Sequence, residues 1–244
     1  QKPRVVEKVG DRRTLTPAEY ARLYFKLAGP KGVYPFSFKG RRYMVRLYDT
    51  DARSVLLMTG RQVTKSTLLG NQALTYSLGI DNFKSLYVAP TQQQVRQFSY
   101  DRLRTPMKIS EYLRAYVGRD AVSSIEHLSF VTGSEIRLRH SFLNADRIRG
   151  LQTDLLTCDE VQDLESDNIP VIEQTLFTSE WKLKRYAGTP KTEDNTLAHL
   201  WFNESTQEEW MVPCHRHAFT VWNICGEDNL PRRAEDGLVC HKCK

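Results

Sequence analysis

The chain has 244 residues, 40% of them hydrophobic, which is enough for one large domain, or one domain with a small appendage, around a real core. Thirty-five Lys and Arg residues against 29 Asp and Glu residues give a net charge of +6, which permits nucleic-acid contact without establishing it. Membrane-spanning proteins and secreted proteins are two classes that the sequence does not lead us to expect. No apolar run approaches the roughly 20 residues that span a bilayer, and the polar, basic N-terminus lacks the apolar stretch of a secretory signal.

A capped helix is the first predicted element. In "TLTPAEYARLYFKLAG" (14–29), Thr16 is expected to cap the helix, a Pro occupies the first helical position and Glu19 completes a capping box. Gly29 is expected to end this helix. The segment "RRYMVRLYD" (41–49) alternates loosely between polar and apolar residues, and this pattern predicts a short strand.

Apolar runs alternate with helical segments from residue 54 onward. The predicted strands lie within 54–60, 85–90, 154–160 and 181–190, and helices are predicted over 65–78 and from about 91 to 103. A hairpin is predicted over 127–140, with its turn at Gly133 and Ser134. Apolar strands that alternate with helices indicate an α/β fold, in which helices cover both faces of a mostly parallel sheet.

The stretch "TGRQVTKST" after the first of these strands raises the question of a phosphate-binding loop. Such a loop needs backbone N–H groups at a helix N-terminus, a Lys for the phosphates and a Ser or Thr hydroxyl for Mg²⁺. Lys65 and Ser66 meet these needs, but Thr64 stands where the standard pattern has Gly, and Gly60 comes one place late. On this stretch alone, an ordinary strand-to-helix turn with an exposed Lys is an equal alternative.

The apolar run "DLLTCDE" ends in two acids, Asp159 and Glu160. An Asp at such a strand end holds Mg²⁺ in P-loop ATPases, and a neighbouring Glu can polarise the attacking water as a general base. A solvated acidic turn is the alternative, but the acids follow a loop that bears Lys and Ser, which favours the functional interpretation. Cys158, on the same strand, is expected to pack as a small hydrophobic residue.

The last predicted strand ends in Gly188, Thr189 and Pro190. Small polar residues at a strand end suit a sensor that contacts the γ-phosphate and moves when it leaves. Taken alone, the motif is equally compatible with a plain turn.

The C-terminal segment carries a cluster of Cys and His residues. "PCHRH" and "VCHKC" supply two pairs with metal-ligand spacing, and tetrahedral Zn²⁺ bound by four protein ligands is structural rather than catalytic. The expected ligands are Cys214, His217, Cys240 and Cys243. His215, His241 and Cys225 are alternates, and Cys225 could replace His217. A set of incidental buried Cys residues is the remaining alternative.

The order of these motifs resembles the ATPase domain of the large terminase subunit of tailed phages, the DNA-packaging motor, over roughly 54–200. "GRQ" before the Lys and "RIRG" before the acid-tipped strand are typical of that family, which has a RecA-like P-loop NTPase fold. Thr64 departs from the family's usual Gly. The resemblance implies nucleotide contacts from Gly60, Arg61, Gln62, Thr64, Lys65, Ser66 and Thr67.

Further roles follow from the same resemblance. Ser66 and Asp159 would hold Mg²⁺, Glu160 would activate water, and Arg61 would reach the γ-phosphate. Gly188, Thr189 and Pro190 would form the coupling motif. Arg149 matches an arginine finger supplied to a neighbouring subunit, with a surface contact to an acid or phosphate as an equal alternative. Residues 92–94 match a DNA-coupling segment.

The function implied by the resemblance is that of an ATP-hydrolysing motor that translocates double-stranded viral DNA into a procapsid. Its expected partners are the DNA, a homo-oligomeric ring at the portal and the small terminase subunit, and its expected location is the host cytoplasm and, transiently, the procapsid vertex. Two alternatives are another helicase-like P-loop ATPase and a non-hydrolysing, zinc-stabilised DNA-binding or scaffold module.

The expected domains are an N-terminal adenine-side segment (1–50), the ATPase core (51–207) and a zinc knuckle (208–244). No nuclease activity is expected from these residues.

Overall fold

The computed structural model describes residues 5–6, 14–30, 32–117, 123–141, 145, 148–209, 211–214, 218–221, 233–234 and 237–238. Their strands, in chain order, are β1 (Val5–Val6), β2 (Thr14–Leu15), β3 (Lys26–Gly29), β4 (Gly32–Pro35), β5 (Ser54–Met58), β6 (Lys84–Ala89), β7 (Ser123–Ser124), β8 (His127–Ser129), β9 (Glu135–His140), β10 (Leu155–Cys158), β11 (Leu183–Gly188), β12 (Met211–Cys214), β13 (Ala218–Val221), β14 (Arg233–Ala234) and β15 (Gly237–Leu238).

The helices are α1 (Pro17–Tyr24), α2 (Tyr43–Tyr48), α3 (Lys65–Gly79), α4 (Gln92–Phe98), α5 (Thr105–Ile109), α6 (Glu111–Ala115), α7 (Asn168–Glu173) and α8 (Thr196–Glu204). A π-helical segment, Ser99–Arg104, continues α4, and 3₁₀ turns occupy Val161–Asp163 and Gln174–Leu176. None of the helices described is both long and apolar enough to serve as a membrane span.

A seven-stranded sheet with the order β5-β11-β10-β6-β9-β8-β7 forms the centre of the domain. The first five strands are parallel, and β8 and β7 are added antiparallel at one edge. This confirms the predicted α/β class with a mostly parallel sheet. The predicted hairpin is also present as β8 and β9, with Gly133 in the turn at a φ of +74°.

Both faces of the sheet are buried. Neighbouring residues on each strand point to opposite sides and therefore join different hydrophobic clusters. Leu155 packs with α3 residues such as Leu69 on one face. Leu156 and Cys158 pack on the other face, in a cluster that includes Leu197 of α8. Burial on both sides explains why these strands read as continuous apolar runs in the sequence. Cys158 is fully buried in this cluster, as expected of a small hydrophobic residue.

The first helix begins as predicted and ends early. Thr16 accepts a hydrogen bond from the Glu19 backbone N–H, the Glu19 side chain accepts one from the Thr16 N–H, and Pro17 is the first helical residue. The helix stops at Tyr24 rather than at Gly29, because the following residues form β3, which pairs antiparallel with β4. A local β-hairpin therefore replaces the last predicted turn of the helix.

The prediction of a strand over 41–49 is wrong, since residues Tyr43–Tyr48 form α2. Its buried side chains, Met44 and Tyr48, are four residues apart, and this helical spacing outweighed the loose alternation. Asp49, just beyond the helix, accepts hydrogen bonds from the Ala18 N–H (2.8 Å) and the Thr16 hydroxyl (3.1 Å). This contact ties α2 to the start of α1.

Candidate active site

The carboxyl ends of three neighbouring parallel strands lie side by side and define the candidate site. In the sheet, β11 lies between β5 and β10, with Met58 paired to Gly188 and Cys158 paired to Tyr186. The Thr59 N–H donates to the Gly188 carbonyl at 3.2 Å. The residues that follow these strands therefore meet at one edge, where open parallel sheets bind ligands.

The loop from β5 to α3 contains two residues with left-handed backbone, although the glycine of the standard pattern is missing. Thr64, the residue before α3, has φ +68° and ψ 23°, and Gln62 has φ +62°. This left-handed conformation is the one that favours Gly, which explains why the family pattern has Gly at the position of Thr64. The Thr64 hydroxyl donates to the Val63 carbonyl at 2.6 Å, so the side chain is turned into its own loop. Lys65 and Ser66 then begin helix α3.

Lys65 lies at the centre of the loop with only 8% of its surface exposed. Its ammonium group donates to the carbonyl oxygens of Thr59 and Gly60, both at 3.1 Å, and to the Thr189 hydroxyl at 2.9 Å. Burial lowers the pKa of Lys65, and the nearby carboxylates of Glu160 and Asp159 oppose that shift. The ammonium is thus held among oxygen atoms in a partly desolvated place, where an anionic phosphate would replace neutral acceptors.

Asp159 and Ser66 form the other half of the site. The Ser66 hydroxyl donates to Asp159 at 3.0 Å, and the Tyr87 hydroxyl contacts the same carboxylate oxygen at 3.4 Å. Burial and the charge of Glu160 raise the pKa of Asp159, while the Ser66 hydrogen bond lowers it. A hydroxyl and a carboxylate oxygen at this separation are hard ligands of the kind that Mg²⁺ uses beside a nucleotide. The residues present therefore fit a magnesium ion.

Glu160 follows Asp159 with a left-handed backbone, φ +53°. Its carboxylate accepts a 2.6 Å hydrogen bond from the side-chain amide of Gln162. A non-glycine residue in this conformation is strained, and such strain is concentrated at functional sites. Its position beside Asp159 is the one predicted for a general base.

The structure brings most of the predicted site residues together, but not all. Lys65, Ser66, Asp159, Glu160 and Thr189 are joined by hydrogen bonds, directly or through Gln162. The remaining nucleotide-site and coupling residues lie in the same loop, helix start and strand end: Gly60, Arg61, Gln62, Thr67, Gly188 and Pro190.

Arg149 is not among the residues that these hydrogen bonds join. It is exposed and lines a groove with Val171 and Phe177, and none of the residues that line this groove belongs to the predicted nucleotide site. The predicted DNA-coupling segment contains Gln94, whose side chain accepts from the Thr91 N–H and completes a capping box at the start of α4.

Three contacts of the site were not predicted from the sequence. They are the contacts of Gln162, the Tyr87 hydroxyl beside Asp159, and an ion pair of 2.6 Å between Lys191 and Asp163. Of these, only the contact between Gln162 and Glu160 joins residues so close in sequence that their spacing could have indicated it.

The predicted zinc ligands fall largely beyond what the structure describes. Cys214 ends β12, but its side chain, together with His217, Cys240 and Cys243, lies outside the described residues, as do the alternates His215, Cys225 and His241. Within the described part of the chain, no group of three or more His, Cys, Asp and Glu residues could hold a metal ion.

The chain has a strand-to-helix loop with Lys and Ser beside the acids that follow a neighbouring region of the same parallel sheet. This arrangement defines the class of P-loop nucleoside triphosphatases. The chain belongs, more narrowly, to the family of ATPase domains of the phage terminase large subunit gpA, whose family model matches residues 35–244. This confirms the resemblance inferred from the motifs and identifies the chain as an ATPase domain. No curated protein matches it in sequence.

Solved structures agree with this fold. The HK97 bacteriophage large terminase matches with a TM-score of 0.64 at 13% identity, over 79% of this chain and 41% of that one. The ATPase domain of the large terminase of Thermus phage P74-26 matches with a TM-score of 0.52 at 20% identity, over 65% of this chain and 66% of that one. The chain thus spans less than two thirds of the length of either protein.

Proposed function

We propose that this chain is the ATP-hydrolysing motor part of a terminase large subunit, which translocates double-stranded viral DNA into a procapsid. The observation that carries the proposal is a set of hydrogen bonds at one sheet edge, which joins Ser66 to Asp159 directly and Lys65 to Glu160 through Thr189 and Gln162. The Lys and Ser lie more than ninety positions before the two acids, as the Ser66 to Asp159 bond shows with a separation of 93. A simple turn with an exposed Lys would not bring the loop residues and the two acids together.

The roles in nucleotide binding follow from charge and geometry. Lys65 would exchange its three neutral oxygen acceptors for β- and γ-phosphate oxygens, and the backbone N–H groups at the start of α3 would face the same anion. Arg61, exposed on the loop, would reach the γ-phosphate. Ser66 and Asp159 would hold Mg²⁺, which neutralises charge on the phosphates when bound.

Glu160 is proposed as the general base. Its carboxylate would accept a proton from a water molecule whose oxygen forms a bond to the γ-phosphorus. The bond between that phosphorus and the bridging oxygen then breaks, which leaves ADP and inorganic phosphate. Thr189, bonded to Lys65 at 2.9 Å, would report on the departure of the phosphate together with Gly188 and Pro190.

The motor would act as a homo-oligomeric ring at the portal, with Arg149 as a finger for the neighbouring subunit and the small terminase subunit as a partner. The exposure of Arg149 is compatible with a role in trans. Residues 92–94 would couple the ATPase to DNA. The proposed location is the host cytoplasm, with transient association at the procapsid vertex.

The proposed organisation is an adenine-side segment (1–50), the ATPase core (51–207) and a structural zinc knuckle (208–244). The zinc ligands proposed for the knuckle are Cys214, His217, Cys240 and Cys243, with Cys225 as the alternative to His217.

The test is steady-state ATP hydrolysis at high protein concentration, with and without duplex DNA. Glu160→Gln should remove turnover that DNA stimulates, because an amide cannot accept the proton from water. The matched control is Glu165→Gln, which changes an exposed carboxylate five residues along the chain and should retain turnover.

Nucleotide binding in the same samples separates the remaining outcomes. Binding without turnover in the wild-type chain would indicate a missing ring neighbour, since fingers supplied in trans contribute roughly 10³–10⁵ in rate. No binding would refute the nucleotide site and favour the zinc-stabilised DNA-binding module.

A further inference from the structure

Gln162 lies between the proposed general base and the proposed coupling motif. It belongs to the 3₁₀ turn that follows Glu160, and its side chain is buried with 7% exposure. The side-chain N–H group donates to Glu160 at 2.6 Å and to Asp163 at 3.2 Å. The side-chain oxygen accepts from the Thr189 backbone N–H at 3.1 Å. The side-chain amide of Gln162 therefore connects Glu160, which follows β10, with Thr189, which follows β11.

The chemistry of the partners determines the orientation of this amide. Ionised carboxylates only accept hydrogen bonds, and a backbone N–H only donates. The amide must therefore turn its NH₂ group to Glu160 and its oxygen to Thr189. No other side chain of this length offers both a donor and an acceptor without a charge, so Glu, Met or Lys could satisfy at most one of the two partners.

Gly188 supplies an independent observation. A Cβ atom at this position would lie 2.5 Å from the Gln162 side-chain oxygen and 2.8 Å from Leu197 Cδ2. The backbone of Gly188 is an ordinary strand end without a positive φ, so the absence of a side chain is needed for space. Part of the space that glycine leaves at the coupling motif is occupied by Gln162.

A second contact joins the same two segments. Lys191, just after the coupling motif, forms an ion pair of 2.6 Å with Asp163, the neighbour of Gln162. This pair is half exposed and would be weak alone. It does, however, join the residue after the coupling motif to the 3₁₀ turn that carries Gln162.

We propose that Gln162 is a positioning residue for ATP hydrolysis, which aims the Glu160 carboxylate and links its position to the Thr189 backbone. Rotation of the Glu160 carboxylate toward the attacking water changes its hydrogen bond to the Gln162 side-chain amide. The hydrogen bond between that amide and the Thr189 N–H transmits the change to the coupling motif. Thr189 also accepts from Lys65, so the coupling motif contacts both the base side and the phosphate side of the site. This inference rests on the proposed function of Glu160 as the base.

The test compares three variants of the full chain with wild type by ATP hydrolysis in the presence of duplex DNA. Gln162→Met keeps the volume and removes both hydrogen bonds. Gln162→Glu keeps an acceptor for Thr189 and sets a carboxylate against Glu160. Gln174→Met makes the same chemical change at an exposed position and serves as the control.

Both Gln162 variants should lower kcat by roughly ten- to a hundredfold, the range expected for losing a hydrogen bond to a charged group. The KM for ATP should stay within about twofold, because the side-chain hydrogen bonds of Gln162 go to Glu160, Asp163 and Thr189 rather than to the phosphate loop. Each unfolding midpoint checks that the variant is folded. A residue that only packs would leave kcat unchanged in Gln162→Met, and that result would overturn the inference. Turnover retained in Glu160→Gln would instead refute the proposed base.

A second measurement needs no turnover. Amide hydrogen exchange at Thr189, followed by NMR in the nucleotide-free chain, should be several-fold faster in Gln162→Met and also faster in Glu160→Ala, which releases the amide. Unchanged exchange in Gln162→Met would overturn the link to the coupling motif even if the wild-type chain alone has no turnover. Unchanged exchange in Glu160→Ala alone would overturn the part of the inference that joins the base to Thr189.

Discussion

Replacing Thr64 with glycine tests whether the phosphate loop carries backbone strain that the family's usual residue would avoid. Thr64 has a φ of +68°, a left-handed conformation that costs an L-residue roughly 1–2 kcal/mol. Glycine adopts it without a steric penalty but loses more conformational freedom on folding, by roughly 0.5–1 kcal/mol. The net change for Thr64→Gly should lie between no effect and a gain of about 1 kcal/mol.

Thr64→Ala is the matched variant. It removes the same hydroxyl, and hence the bond to the Val63 carbonyl, but it keeps the Cβ atom and therefore the left-handed penalty. The glycine variant should be more stable than the alanine variant by about 1 kcal/mol. For a domain of this size that difference corresponds to roughly 2–4 °C in Tm.

The assay is thermal unfolding of the nucleotide-free variants, combined with an ATP titration of each. ATP affinity should be unchanged or tighter in Thr64→Gly, because the backbone geometry that faces the phosphates is retained. Equal midpoints for the glycine and alanine variants would refute the strain argument. A large loss of ATP affinity in Thr64→Gly would show that the Thr64 side chain contacts the nucleotide.

Three further predictions concern the phosphate site, the buried acid and the metal. Lys65→Ala should abolish nucleotide binding, measured by titration, because no other ammonium group lies among the loop carbonyls in the described part of the chain; unchanged affinity would remove the phosphate-loop assignment. Asp159→Asn should raise the Tm of the nucleotide-free chain by a few degrees at pH 7 and abolish Mg²⁺-dependent hydrolysis. Burial raises the pKa of Asp159, so the folded chain binds this proton more tightly than the unfolded chain, and stability from this group is lost as pH rises through the folded pKa. The stabilisation in Asp159→Asn should therefore shrink as pH falls toward the raised pKa of Asp159; a difference that is constant with pH would contradict this cause. Cys240→Ser should release zinc, measured by metal analysis, and loosen only the C-terminal segment; zinc retained at full stoichiometry would point to other ligands.

Local sequence patterns were sufficient for most of the core elements. The apolar runs before Thr59, Thr91, Asp159 and Thr189 all became strands, because burial on both faces of a parallel sheet leaves a continuous apolar signature. The capping box at Thr16 was also predicted, since its partners are only three residues apart. Such features depend on neighbours along the chain, and the sequence displays them directly.

Errors arose where strand pairing or core packing changed a local preference. The first helix gives way to β3 because β4 pairs with it, and 41–49 became a helix because it packs one face against the core. Neither outcome was visible in the local pattern, which was compatible with both conformations. Pairing of β3 with β4 decided the first outcome, and packing of α2 against the core decided the second.

The sequence by itself determined the residue types of the candidate site: Lys65 and Ser66 at a predicted helix start, and Asp159 and Glu160 at a predicted strand end. Only the tertiary structure decided that β11 lies between β5 and β10, that Thr64 adopts the conformation usual for glycine, and that Gln162 joins Glu160 to Thr189. The physical reason is the range of the interactions. Periodicity and capping act within a few residues, whereas strand order and a shared amide depend on contacts between segments that the sequence holds far apart.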